Sequence, residues 1–276
     1  MTTAPGVEPL DTGAEGDPGA GAAAPAPPRV DGPPTVAAFD FDGTLARGGS
    51  EFNFLLRVRG LLPVMAAILR HSPKLIKGMV LGGPAADAGK QALFAQLLSG
   101  QPAGRLQRVG ADFARDHLRR RLRPEVHDRL VWHRSQGHRV VIVSASPECY
   151  VRVAGEQLGA DDTLATRLQV GGGLLTGRFD GRNCRGPEKF SRLEGWLRAE
   201  GFYDGGGGRP VVWAYGNSRG DLRLLDAADH GVDTGRLGPL GRLRRFPRLG
   251  AVVAHSGQGP GVAQSGSAAA PTTTPR

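Results

Sequence analysis

Two carboxylates separated by one apolar residue stand out first, in Asp40-Phe41-Asp42-Gly43-Thr44. If Phe41 turns into the core, both carboxylates can face one ligand. One Asp can then attack phosphorus as a nucleophile. The other can protonate the leaving group and later activate water. Two carboxylates and a phosphate repel one another, so this chemistry calls for a cation, and Mg²⁺ suits oxygen ligands and phosphate. Gly43 lets backbone N–H groups approach phosphate oxygens. The plainer reading of the same residues is an Asp-Gly turn at the end of a strand.

Three further pieces fit the same chemistry. Ser144 offers a hydroxyl, and the N–H groups of Ala145 and Ser146 are expected where a helix begins, a position that favours anions. Ser144 or Ser146 would equally serve as an N-cap ahead of Pro147. Lys189, in Gly186-Pro187-Glu188-Lys189, is a compact charge able to reach a phosphate or neutralise a carboxylate. It is one of four lysines, with Lys74, Lys77 and Lys90, in a chain that otherwise uses Arg. Gly216-Asn217-Ser218-Arg219-Gly220-Asp221 sets two oxygen-bearing side chains four residues apart. Asp221 can hold a metal or its waters there, or simply sit in a first helical turn.

These residues need elements to position them. Thr35–Phe39, Arg139–Val143 and Pro210–Tyr215 are short, rich in β-branched or aromatic residues, and lack polar alternation. That pattern predicts strands buried on both faces, as in a parallel sheet. Helical segments are expected over 87–100, 104–122, 124–136, 147–158, 187–200 and 219–228. Alternating strands and helices predict a doubly wound α/β domain. In such sheets function sits beyond the C-terminal strand ends, and here those ends are Asp40, Ser144 and Asn217. Parallel neighbours lie ~4.8 Å apart, so neighbouring strands would bring all three to one phosphate-sized ligand. Gly171-Gly172-Gly173 between apolar stretches suggests a β-hairpin within 163–184.

In this order, the four pieces resemble the haloacid dehalogenase-like (HAD) superfamily, over most of residues 35–230. The resemblance implies a Rossmann-like parallel sheet with an inserted helical cap. It implies Asp40 as nucleophile and Asp42 as acid/base, with Gly43, Ser144, Ala145 and Lys189 at the phosphate. It implies Mg²⁺ held by Asp40, Asp42, Asn217 and Asp221. The second Asp favours a phosphatase. The long stretch after the first motif, with Leu174-Leu175-Thr176-Gly177 and Gly186-Pro187-Glu188-Lys189, is similar to subfamily IB, the branch of phosphoserine phosphatase and bacterial phosphatidylglycerophosphatase. Asn217 stands where the family usually carries Asp, and Glu51 is only a loose match to the phosphoserine-recognition Glu. The implied division is a core over 35–45 and 126–253, a cap over 46–125, and disordered tails over 1–34 and 254–276.

Composition bounds the rest. The chain has 276 residues, with 43 Gly and 21 Pro and a net charge of +9. The first 34 residues hold one base (Arg29) against five acids, and Arg276 is the only charge beyond residue 253, so 35–253 is near +12. Two cysteines, Cys149 and Cys184, exclude a disulfide scaffold, thiolate zinc clusters and iron–sulfur sites. No signal peptide or apolar run of spanning length is present, which predicts a cytoplasmic protein. Residues 55–69 and 75–81 read as one or two amphipathic helices edged with bases, facing either the core or an anionic membrane surface. The expected partner is a phosphorylated small molecule or a lipid phosphate. The alternative is a catalytically weakened scaffold that binds an anionic partner through Arg105, Arg108, Arg115, Arg119, Arg120, Arg121 and Arg123. Nucleic acid is disfavoured, because no aromatic platform accompanies the bases. His127, His133 and His138 read as surface residues, and the three tryptophans as core. The Arg-rich stretch 236–248 has no assigned element.

Overall fold

The computed structural model describes residues 33–81, 83–203, 208–235 and 245–256. The expected tails lie outside these residues, apart from 33–34 and 254–256, as does most of 236–248.

Five parallel strands form the central sheet: β1 (Thr35–Phe39), β2 (Arg139–Pro147), β3 (Asp162–Thr166), β6 (Val211–Gly216) and β7 (His230–Asp233). Their spatial order is β3-β2-β1-β6-β7. The three expected strands are neighbours, with Phe39 registered against Ile142 and Tyr215. Alternate residues feed different cores. Ala37, Phe39, Val140 and Ile142 pack on one face, while Val36, Ala38, Val141 and Val143 pack on the other. Burial on both faces is why these strands read as continuous apolar runs.

Edge strands β3 and β7 escape the sequence pattern because they are short and partly polar. The expected hairpin is real but shorter. It pairs β4 (Leu168–Gly171) with β5 (Leu174–Phe179) through Gly172 and Gly173, both at positive φ. The start of the predicted hairpin region is instead β3, drawn into the main sheet by pairing with β2.

Five helices separate β1 from β2: α1 (Glu51–Arg59), α2 (Leu61–Leu81), α3 (Gly83–Leu98), α4 (Ala103–Arg121) and α5 (Pro124–Ser135). The chain leaves and returns through one closed neck. Ala46 bridges Leu122, Arg47 N–H donates to Arg121 O at 2.7 Å, and Arg123 N–H donates to Leu45 O at 2.9 Å. α2 continues through Pro73 as a single helix. Pro73 cannot donate to the Leu69 carbonyl, and the Ser72 hydroxyl donates there instead at 2.8 Å.

The remaining helices among the described residues are α6 (Glu148–Leu158), α7 (Pro187–Ala199), α8 (Leu222–Ala227) and α9 (Leu249–Ser256). A 3-10 turn at Arg219–Asp221 precedes α8, so the helix expected from 219 starts late. No helix among the described residues is long and apolar enough to cross a membrane.

Candidate active site

The C-terminal ends of β1, β2 and β6 carry the expected residues side by side. Asp40 follows β1 and is buried, and its N–H donates to Tyr215 O at 2.9 Å across to β6. Lys189 rises from the first turn of α7, where Pro187 occupies a position that needs no N–H donor. It is 2% exposed, and its Nζ donates to Asp40 Oδ1 at 2.5 Å and to Asp221 Oδ1 at 2.6 Å. One ammonium thus sits between two buried carboxylates.

The protonation states follow from that clamp. Burial pushes Asp40 up to about 7, with the Asp221 charge adding to the rise and Lys189 opposing it. Burial works against a charged Lys189, but Asp221 and Asp40 outweigh it and hold the ammonium protonated. Burial likewise pushes Asp221 up, yet Lys189 and donors from Ser218 and Asn217 prevail, and its carboxyl lies below the usual range. Asp221 Oδ2 accepts from the N–H groups of Asn217 (3.2 Å) and Ser218 (3.0 Å) and from the Ser218 hydroxyl (2.8 Å). Asp221 therefore shapes the loop after β6 as well as pairing with Lys189. Gly216 is required beneath it, since a Cβ there would lie 2.5 Å from Asp221 Cβ.

Asp42 has different surroundings. Its Oδ1 accepts from Ser50 N–H at 2.7 Å, and its Oδ2 accepts from the Ser146 hydroxyl. The Ser50 hydroxyl lies 2.7 Å from Tyr150 OH. Burial raises the Asp42 carboxyl above its ordinary value, with the Ser146 and Ser50 hydrogen bonds opposing. Ser50, Ser146 and Tyr150 form a polar shell that sequence reading did not assign to Asp42. The sequence reads Ser146 instead as a backbone donor or an N-cap ahead of Pro147.

The second motif differs from expectation in one respect. β2 continues to Pro147 and α6 begins at Glu148, so Ser144, Ala145 and Ser146 lie on an extended strand end, not at a helix start. Ser144 Oγ accepts from Ser146 N–H at 3.1 Å, and both serines are buried. Extended backbone survives here because a register shift against β3 lets Pro147 pair with Thr166. Ala145 O accepts from Lys90 Nζ at 2.7 Å and from Thr166 Oγ1 at 2.6 Å.

Gly43 has φ +80°, and its own N–H donates to Ala46 O at 2.7 Å. What it supplies is room, because a Cβ there would fall 1.8 Å from Asn217 Nδ2. Asn217 thereby closes over the turn after β1. Its Oδ1 is buried and has no hydrogen-bond partner. Among the described residues no three of His, Cys, Asp or Glu converge as a metal-ready cluster.

Lys90, noted in the sequence only for rarity, reaches from α3 into this region. Its Nζ donates to Glu51, to Ala145 O and to Asn183 Oδ1 (3.2 Å), while Asn183 Nδ2 donates to Asp87 at 2.6 Å. Helices α1 and α3 are tied by this network to the second-motif strand. Arg123 does not belong to an exposed basic face. It is buried, and its Nη1 donates to Gly43 O. Arg115 and Arg119 on α4 pair with Asp112 and Asp116. His133 corrects another expectation, because it is fully buried. Its Nε2 lies 2.7 Å from Tyr215 OH and its Nδ1 lies 2.8 Å from His138 Nδ1. Trp196 is buried as expected, whereas Trp132 and Trp213 are half-buried.

Comparisons with known proteins bear on the family and the fold. The family model described as haloacid dehalogenase-like hydrolase matches residues 37–226. Protein CicA of Caulobacter vibrioides is 35% identical over 201 residues, covering 71% of this chain and 84% of that one. A probable phosphatase of Mycobacterium tuberculosis is 27% identical, covering 71% and 67%. Among solved structures, a substrate-bound phosphoserine phosphatase superposes with a TM-score of 0.55 at 19% identity, covering 80% of this chain and 98% of its own. With a family model matched over most of the described sheet and a relative 35% identical over 71% of the chain, the chain belongs to the haloacid dehalogenase-like hydrolases.

Proposed function

We propose that the chain is a Mg²⁺-dependent phosphatase acting on phosphomonoesters through an aspartyl-phosphate on Asp40. The observation that carries this reading is the Asp40–Lys189–Asp221 clamp beside a separately held Asp42. Asp40 attacks phosphorus: a bond forms from its carboxylate oxygen to phosphorus as the bond from phosphorus to the ester oxygen breaks. Asp42, kept protonated more readily by burial, gives its proton to the departing oxygen. Water then attacks the phosphoryl group, Asp42 takes back a proton, and inorganic phosphate leaves with Asp40 restored. Lys189 and the Ser144 hydroxyl offer donors to the charged phosphoryl oxygens, and Ala145 supports that strand end.

The residues present fit a hard divalent cation. Asn217 Oδ1 is a buried oxygen without a partner, and Asp40 is an adjoining carboxylate candidate. Asp42 and Asp221 have both oxygens engaged within the protein. We read their part as holding the surrounding loops, with Asp40 and Asn217 as the protein's direct donors. When bound, Mg²⁺ would neutralise charge between the carboxylates and the substrate phosphate.

The substrate is a small-molecule or lipid phosphomonoester. Glu51 is already engaged by Lys90, which disfavours its use on a substrate amine and so disfavours phosphoserine. Residues 46–125 act as the cap, through the neck at Ala46 and Leu122. The test is phosphate release from an aryl phosphate with and without Mg²⁺. Asp40→Asn should lower turnover by roughly 10⁴–10⁶-fold. Unchanged turnover in that variant removes the mechanism.

A further inference from the structure

The outer face of α2 is apolar and unpartnered. Leu62 (81% exposed), Met65, Leu69 (77%), Ile76 and Val80 (67%) are all exposed. Their spacing of three, four, seven and four residues puts them on one stripe along a helix about 30 Å long. The opposite side is accounted for. Val64 and Ala67 are fully buried, and Gly78 lies so close to α3 that a Cβ would fall 2.7 Å from Ala86 Cα. Exposed apolar patches of this extent on a folded chain mark contact surfaces.

Charge indicates what covers the stripe. α2 contains no Asp or Glu, but carries Arg70, Lys74 and Lys77. Helical spacing sets these bases on one flank of the stripe, and none is in an ion pair among the described residues. Apolar side chains bordered by free cations, on a helix too polar to span a bilayer, match a helix lying in the plane of an anionic membrane. Long Lys and Arg stems can lie along the apolar layer while their charges reach headgroups. A protein groove would need acids to match this flank, whereas a lipid surface supplies phosphates at any register.

We infer that α2 docks this chain on an anionic lipid surface, with Leu62, Met65, Leu69, Ile76 and Val80 entering the headgroup boundary and Arg70, Lys74 and Lys77 pairing with lipid phosphates. α2 follows α1 after the single residue Gly60, and Ser50 at the start of α1 binds Asp42.

The experiment is flotation of the full chain with vesicles of phosphatidylcholine and phosphatidylglycerol in equal parts, and with phosphatidylcholine alone. The expected result is binding to the anionic vesicles, reduced at high salt and on neutral vesicles. A double variant, Leu62→Glu with Leu69→Glu, should weaken binding at least about tenfold while its circular dichroism and thermal midpoint stay unchanged. A second, Arg70→Gln with Lys77→Gln, should weaken binding to anionic vesicles about tenfold or more. No binding at low salt overturns the inference, as does binding that survives both variants. A dimer in sedimentation that the Glu variant dissociates would also overturn it and assign the face to a second copy. The assay reads binding alone, so vesicle binding without phosphatase turnover would remove the proposed activity and leave this surface standing.

Discussion

Two lysines on one chain show how differently its two regions are built. Lys189 lies beneath the strand ends, 2% exposed, with a carboxylate oxygen on each side. Lys77 stands on the outer flank of α2, exposed, with no acid on its helix. On the floor of the site Asp40, Lys189 and Asp221 are buried and answer one another, so the local field is fixed before any substrate arrives. On α2 both apolar and charged groups are left open, so that surface is completed only by what it touches. Lys90 falls between the two, tying the inserted helices to the strand end through Glu51 and Ala145.

The contrast can be broken first at the floor. Lys189→Met should leave Asp40 and Asp221 buried without their cation and destabilise the fold by about 3–5 kcal/mol, read by urea unfolding. A loss near zero would mean that the clamp is not the organising charge. Lys90→Met should cost less, about 1–3 kcal/mol, because Glu51 is partly exposed. It should also change KM and kcat together on any phosphomonoester, since it moves the inserted helices relative to Ala145. An effect on KM alone would reduce Lys90 to a substrate contact.

The third prediction concerns pH. Burial pushes His133 down to about 2, with the Arg129 and His138 charges adding to it. Below its unfolded value near 6.5 the unfolded chain binds a proton that the folded chain refuses. Stability from this group is therefore present above pH 6.5 and is lost as pH falls from there towards 2, at about 1.4 kcal/mol per pH unit. Asp40 and Asp42 carry the opposite sign, because their raised values let the folded chain hold protons already lost on unfolding. The difference between wild type and His133→Gln isolates the histidine: the variant should lose less stability between pH 6.5 and 5. Parallel curves would mean that His133 is protonated in the fold. The smallest effect is expected on α2, where Leu62→Glu with Leu69→Glu should alter stability by only about 0.5 kcal/mol, since neither side chain is packed. A loss of several kcal/mol would show that the face is already covered by protein.

Much of the candidate site was legible because it is local. Asp40 and Asp42 lie two residues apart, Asn217 and Asp221 four apart, and the strand before each set is a plain apolar run. What surrounds Asp42 was not legible, because Ser50, Ser146 and Tyr150 approach from α1, β2 and α6, up to 108 positions away along the chain. His133 was misread for the same reason. It lies between Arg129 and Arg134 on α5, but it faces Phe39 and Tyr215 on the sheet. Ser144 to Ser146 were misassigned to a helix start because Pro147 is as suitable there as at a strand end, and only pairing with Thr166 decides between them.

By itself, then, the sequence determined the parallel sheet, the order of the motif residues and the acid pair on which phosphoryl chemistry would turn. Those features rest on apolar runs and short spacings, which survive reading in one dimension. Tertiary structure alone decided which lysines are buried, where the Asn217 oxygen is left without a partner, and which side of α2 faces outward. Burial and charge pairing are properties of neighbours in space, and here those neighbours come from helices and strands far apart along the chain.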